Sequence, residues 1–148
     1  MNGNDVYVDP SALSRLYLHQ AGSREMAAWR SKTEGPLLVT HHGRVEIINA
    51  ICRSLFLGQL DAHQAAEALA DLQADFQAGH LHPADLLWRA ALDRAGELSR
   101  KYTPTLGTRT LDVLHVACAL ELKLRHFLTF DLRQQQLAQA VGLKQVRL

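Results

Sequence analysis

The sequence predicts an α/β fold, a parallel sheet covered by helices on both faces. Short apolar runs at residues 5–9 (DVYVD), 37–39 (LLV) and 127–130 (FLTF) alternate with longer segments of helical period. Two of these runs end in a carboxylate, Asp9 and Asp131. In an open parallel sheet, functional groups collect beyond the carboxyl ends of the strands. At 148 residues, with 47% hydrophobic and 21% charged content, the chain suits one domain with a real core. Residues 1–148 are therefore expected to form a single domain, with no internal repeat and no evident linker.

Residues 5–9 form the first strand. Pro10 and Ser11 open a helix through SALSRLYLHQ, where proline's missing N–H matters little. Gly22-Ser23 breaks that pattern, and Ser23 is expected to cap a second helix carrying Met26 and Trp29. After the strand at 37–39, a helix is expected from His42 to Leu57, stopped by Gly58. Val45, Ile48, Cys52 and Leu55 are its expected core stripe, with Glu46, Asn49 and Arg53 on a polar stripe beside it. Asp61 caps the next helix, whose core face is Ala65, Leu69, Leu72 and Phe76, and Gly79 ends it.

A short strand is expected around HLHP, then a helix from Ala84 to Lys101 and a loop, TPTLGT. The helix from Arg109 to Lys123 has Leu111, Leu114, Cys118 and Leu122 as its expected core stripe, with Asp112 and His115 on a neighbouring face. The strand at 127–130 leads through Asp131 into a helix closed by Gly142. Residues 144–147 read as a last edge strand.

Net charge is +1, so no bulk basic charge marks the chain for nucleic acid. The distribution is uneven. Asp61, Glu67, Asp71, Asp75 and Asp85 face no Lys or Arg in their stretch, whereas Arg89, Arg94, Arg100, Lys101 and Arg109 make a basic one that could meet phosphates. Cys52 and Cys118 read as two buried free thiols of a reducing compartment. The N-terminus lacks a secretory pattern, and no apolar run approaches the length of a membrane span. The expectation is a soluble cytoplasmic protein with no membrane partner.

Glu46 and Asp112 join Asp9 and Asp131 as carboxylates in apolar settings. Carboxylates are rarely buried without partners, and four gathered together repel one another unless cations lie between them. Hard oxygen ligands of this kind suit Mg²⁺ or Mn²⁺, which activate water and stabilise a phosphodiester under attack. The same residues also read more plainly: Asp9 and Asp131 as helix N-caps, Glu46 and Asp112 as partners of Arg53 and Arg109. Arg109 could bind a phosphate or a site carboxylate, and His115 could touch substrate or orient Asp112. The histidine pairs 41–42 and 80–82 lack cysteine partners for a zinc site. No glycine-rich phosphate loop occurs.

The succession VYVDPSAL, VEIINAI, RTLDVLHVACALEL and FLTFDLRQQQLAQAVGL resembles the PIN domain, and is most similar to the VapC-type toxins of bacterial toxin–antitoxin pairs. The resemblance spans nearly the whole chain. It implies a PIN-like three-layer α/β/α sandwich with a central parallel sheet, and a Mg²⁺- or Mn²⁺-dependent ribonuclease. It puts the family's four acids on Asp9, Glu46, Asp112 and Asp131. The hydroxyl of the first motif falls on Ser11, the polar residue after the Glu on Asn49, and the Thr of the T-x-D motif on Thr129. It also implies an RNA substrate, a cognate antitoxin lying in the active-site groove, and a homodimer. Pro10 departs from the Ser or Thr that many members carry after the first Asp. Two alternatives stand beside this reading. A receiver-like Mg²⁺-binding signalling domain would need adjacent acids after the first strand and a late Lys, which are missing. A non-catalytic nucleic-acid-binding PIN module would not need all four acids.

Overall fold

The computed structural model describes residues 1–148. Five short strands, β1 (Val6–Val8), β2 (Leu37–Val39), β3 (Leu81–Pro83), β4 (His126–Leu128) and β5 (Lys144–Gln145), form one sheet in the order β3-β2-β1-β4-β5. Every neighbouring pair is parallel. Seven helices connect them: α1 (Pro10–Leu13), α2 (Ser23–Ser31), α3 (His41–Phe56), α4 (Ala62–Gln77), α5 (Trp88–Leu106), α6 (Thr110–Glu121) and α7 (Leu132–Ala140). No helix is long and apolar enough to cross a membrane.

The two-residue period of a strand splits the core into two layers. Val6 and Val8 of β1 pack with Ile47 and Ile51 of α3 and Leu72 of α4. Tyr7, between them in sequence, packs on the opposite face with Val116 of α6, Phe127 of β4 and Leu137 of α7. Helices cover both faces, and the α/β/α sandwich expected from the sequence is present. The chain first builds outward from β1 through β2 to β3, then returns to the other side of β1 with β4 and β5. This reversal opens a crevice beyond the carboxyl ends of β1 and β4.

The helix opened by Pro10 ends at Leu13 and passes into a 3-10 turn over Ser14–Leu16, short of the expected run through SALSRLYLHQ. Four further local expectations change. The core face of α3 is Gly43, Ile47 and Ile51, whereas Val45, Ile48, Cys52 and Leu55 are exposed. Helical periodicity alone cannot choose between two apolar stripes. Gly43 decides it by close packing: a Cβ there would lie 2.8 Å from Thr40 Oγ1 and 3.2 Å from Pro10 Cγ. Cys52 is consequently not a buried thiol, while Cys118 is. Secondly, α5 starts at Trp88 and runs through Pro104 to Leu106 rather than ending at Lys101. Gly107, at φ 65°, closes it in the left-handed conformation with an N–H donated to Thr103 O. Thirdly, the buried side of α6 is Val113, Val116 and Ala117 with Cys118, and Leu111 is half exposed. Finally, Gly22 rather than Ser23 occupies the N-cap of α2, and the Ser23 hydroxyl donates to Leu18 O instead.

Candidate active site

Asp9 leaves the end of β1 with its backbone N–H held by Leu128 O of β4 at 3.0 Å. It caps α1, accepting from Ser11 N at 3.1 Å on Oδ2, and the Ser11 hydroxyl donates to the same oxygen. Pro10 occupies the first helical position and has no N–H to give, so Ser11 supplies both of these donors. The other oxygen, Oδ1, accepts from the Gln134 side-chain amide at 3.0 Å. Asp9 is 4% exposed, so these bonds stand in for lost water.

Asp131 follows β4 and caps α7 by accepting from Gln134 N at 2.9 Å. Thr129 fixes this corner. Its hydroxyl accepts from Asp131 N at 3.1 Å and donates to Gln134 Oε1 at 2.5 Å. That bond orients the Gln134 amide, so its Nε2 reaches both Asp9 and the carbonyl of Asp112, the latter at 3.3 Å.

Asp112 lies in the first turn of α6, where the helix dipole favours negative charge. Arg109, at the N-cap of α6, reaches it with Nε at 3.3 Å and stands 4.0 Å from Asp131 through Nη2. The Arg109 side chain is 79% exposed and so offsets the carboxylates only from the rim. Burial, and next the charge of Asp9, push the Asp112 carboxyl up from its usual range; Arg109 pulls it down and Asp131 adds to the rise.

Glu46 arrives from the second turn of α3. Its carboxylate receives His115 Nε2 at 2.9 and 3.2 Å, and His115 Nδ1 meets the Tyr7 hydroxyl at 2.6 Å. These partners assign the protons: Tyr7 O–H donates to Nδ1, and Nε2–H donates to Glu46. His115 is fully buried, and burial raises the Tyr7 phenol well above its ordinary range. His115 therefore serves Glu46, not Asp112, and Glu46 pairs with His115 rather than Arg53.

All four expected acids, with Ser11, Arg109 and His115, line one open cleft of about 690 Å³. Arg15 and Phe130 complete its wall, the guanidinium lying 3.9 Å from the Phe130 ring centroid. Thr129 acts from behind through Gln134. Asn49 is exposed and lines an adjoining groove that shares Glu46, Ser11 and Arg15 with the cleft. Of the basic stretch, only Arg109 borders the cleft. Arg94 instead pairs with Glu121 at 2.6 Å. The N-cap reading of Asp9 and Asp131 and the Arg109 pairing of Asp112 are real, and they coexist with the cluster. Capping is the local device that holds each carboxylate at the strand end.

The sequence reading missed Gln134, Tyr7 and Arg15. Gln134 carried one signal, its place three residues after a capping Asp, where the side chain turns back over the cap.

A family model of the PIN domain matches residues 6–140, and the chain belongs to that family. No curated protein matches it in sequence. Among solved structures it is similar to the "Crystal Structure of FitAcB from Neisseria gonorrhoeae", with 16% identity, a TM-score of 0.59 and 96% of each chain covered. At that identity the likeness speaks for the fold.

Proposed function

We propose that this protein is a metal-dependent endoribonuclease, the toxin of a type II toxin–antitoxin pair. The observation that carries the reading is the convergence of Asp9, Glu46, Asp112 and Asp131 on one open cleft, whose only cationic side chains are the exposed Arg109 and the half-buried Arg15. The donor set is four carboxylates in one cleft, and the charges of Asp9 and Asp131 add to the burial that raises the Asp112 carboxyl. Asp9, Asp112 and Asp131, with Glu46 beside them, would hold Mg²⁺ or Mn²⁺, which lowers the pKa of water and neutralises charge at the scissile phosphate.

The remaining roles follow from the side chains. Ser11, Gln134 and Thr129 hold Asp9 in one orientation. His115, braced by Tyr7, holds Glu46, the carboxylate placed to take a proton from attacking water. Arg15 and Arg109 both line the cleft and draw the phosphates of the strand. Asn49 extends the contact surface along the adjoining groove.

Two features support protein partners. The acidic cleft suits an Arg or Lys from an antitoxin segment, since guanidinium pairs bidentately with carboxylates. On α3, Val45, Ile48, Leu55 and Phe56 present an exposed apolar ridge, with Phe56 87% exposed, and such a ridge fits a second copy or the antitoxin. With RNA and an antitoxin as partners, the protein acts in the cytoplasm.

The test is cleavage of structured RNA by the purified protein. Activity with Mg²⁺ or Mn²⁺ that disappears in chelator supports the reading. Undiminished cleavage in excess chelator refutes it.

A further inference from the structure

Behind the cleft, His42 carries both ring nitrogens buried and without any hydrogen-bond partner. Burying such a group unpaired is costly, so an orphaned imidazole calls for an explanation. The ring stacks on His115 with centroids 4.6 Å apart and planes 21° from parallel, and Trp88 closes its far side edge-on at 4.9 Å. His42 and Glu46 are four apart on α3 and share a face. One ligand atom from each of His42, Glu46 and His115 lies within 4.8 Å of the others. Closest are His115 Nε2 and Glu46 Oε2, at 2.9 Å.

We propose that His42, Glu46 and His115 form a binding site for a borderline transition-metal dication, Zn²⁺ foremost, which shares only Glu46 with the four carboxylates of the cleft. Two imidazoles and one carboxylate are a donor set suited to Zn²⁺, Co²⁺ or Ni²⁺ rather than to Mg²⁺. A tetrahedral Zn²⁺, with bonds of about 2.0–2.1 Å, spaces its ligands about 3.3 Å apart. The present arrangement reaches that when the His42 ring turns out of its stack with His115, so that the two imidazole lone pairs converge, and Glu46, whose side chain is 28% exposed, swings with it. Glu46 and His115 both line the cleft, so the site is reached from it.

The supporting shell is built. A metal on His115 Nε2 takes the other tautomer, in which the proton now given to Glu46 sits on Nδ1 and is donated to the Tyr7 oxygen, as the second nitrogen of a metal-bound histidine is commonly held. Gly43 lets the first turn of α3 approach, since a Cβ there would lie 3.8 Å from His115 Cε1 and nearer still to Thr40 and Pro10. The site stands on this geometry and does not depend on the nuclease reading. When filled, it takes the Glu46 carboxylate away from the cleft.

The experiment is equilibrium dialysis of the metal-stripped, untagged full-length protein against Zn²⁺ in large excess Mg²⁺, with Co²⁺ absorption as the second readout. The expected result is one Zn²⁺ per chain and a Co²⁺ visible spectrum of low-coordinate nitrogen and oxygen ligation. His42→Leu should weaken binding by at least about tenfold, and Tyr7→Phe by about tenfold. Asp112→Asn should leave Zn²⁺ binding unchanged. If His42→Leu does not fold by circular dichroism, His42→Gln takes its place. Zn²⁺ not retained against Mg²⁺, binding unchanged in the His42 variant that folds, or binding lost in Asp112→Asn would each overturn the proposal.

Discussion

The Gln134 side chain donates to Asp9 at 3.0 Å, tying the first turn of α7 to the end of β1 across 125 positions of sequence. Gln134 is completely buried, and the Thr129 hydroxyl sets which end of its amide faces Asp9. A neutral amide thus fixes a carboxylate without cancelling its charge.

Gln134→Ala should therefore damage both stability and activity. It leaves a buried Asp9 oxygen without its donor and the Thr129 hydroxyl without its acceptor, a loss of about 1–3 kcal/mol. Denaturant unfolding of the metal-free protein reads the first effect, and RNA cleavage the second. A variant as stable and active as the parent would show that Asp9 does not need this bond.

Asp9→Asn and Asp112→Asn should separate in chelator at neutral pH. The Asp112 pKa is raised in the folded protein above the ordinary 3.8. Its ionisation is therefore disfavoured by folding, and stability is lost as pH rises through the folded value. Asp112→Asn removes that penalty and should raise Tm. Asp9→Asn turns an amide N–H toward either Ser11 or Gln134, both donors, and should lower Tm. A common shift for both variants would contradict the distinction.

Much of this site was legible in the sequence, because its acids sit where strands end and helices begin. Asp9 and Asp131 could be placed from an apolar run followed by a cap, and Asp112 from the first turn of an apolar helix. Glu46 was placed from its polar stripe, although the core stripe beside it was misread. The choice between Ile47 with Ile51 and Val45 with Ile48 rests on Gly43 nestling against Pro10, a contact between distant elements that no period encodes. Gln134 and Tyr7 escaped for the same reason. One glutamine in a run of three and one tyrosine in a strand acquire roles only when β1, α6 and α7 meet.

Acid sensitivity should trace in part to His42. Its folded pKa of about 4 lies below the 6.5 of the free ring, so the unfolded chain takes up a proton that the folded state refuses. The stability it contributes is full above pH 6.5 and is lost as pH falls toward 4. Tm measured across that window in chelator should fall less steeply for His42→Leu than for the parent. Parallel curves would contradict the assignment.

RNA affinity should depend on the cleft arginines rather than on the α5 surface. Arg109→Ala and Arg15→Ala should each weaken binding and reduce the salt slope by about 1. Arg94→Ala, which loses only its pairing with Glu121, should leave the slope unchanged. Filter binding across a salt series reads all three. A loss confined to Arg94→Ala would move the RNA path to α5.

The most direct test of the central claim is the single-turnover rate of RNA cleavage as a function of Mn²⁺ concentration, for the parent and Asp112→Asn. The expected parent rate rises from nothing in chelator to a plateau. The expected variant rate stays lower by more than about a hundredfold while the fold remains intact by circular dichroism. A parent rate independent of Mn²⁺ and Mg²⁺, or a folded Asp112→Asn that cleaves as the parent does, would contradict the claim that this carboxylate cleft is a metal-dependent ribonuclease centre.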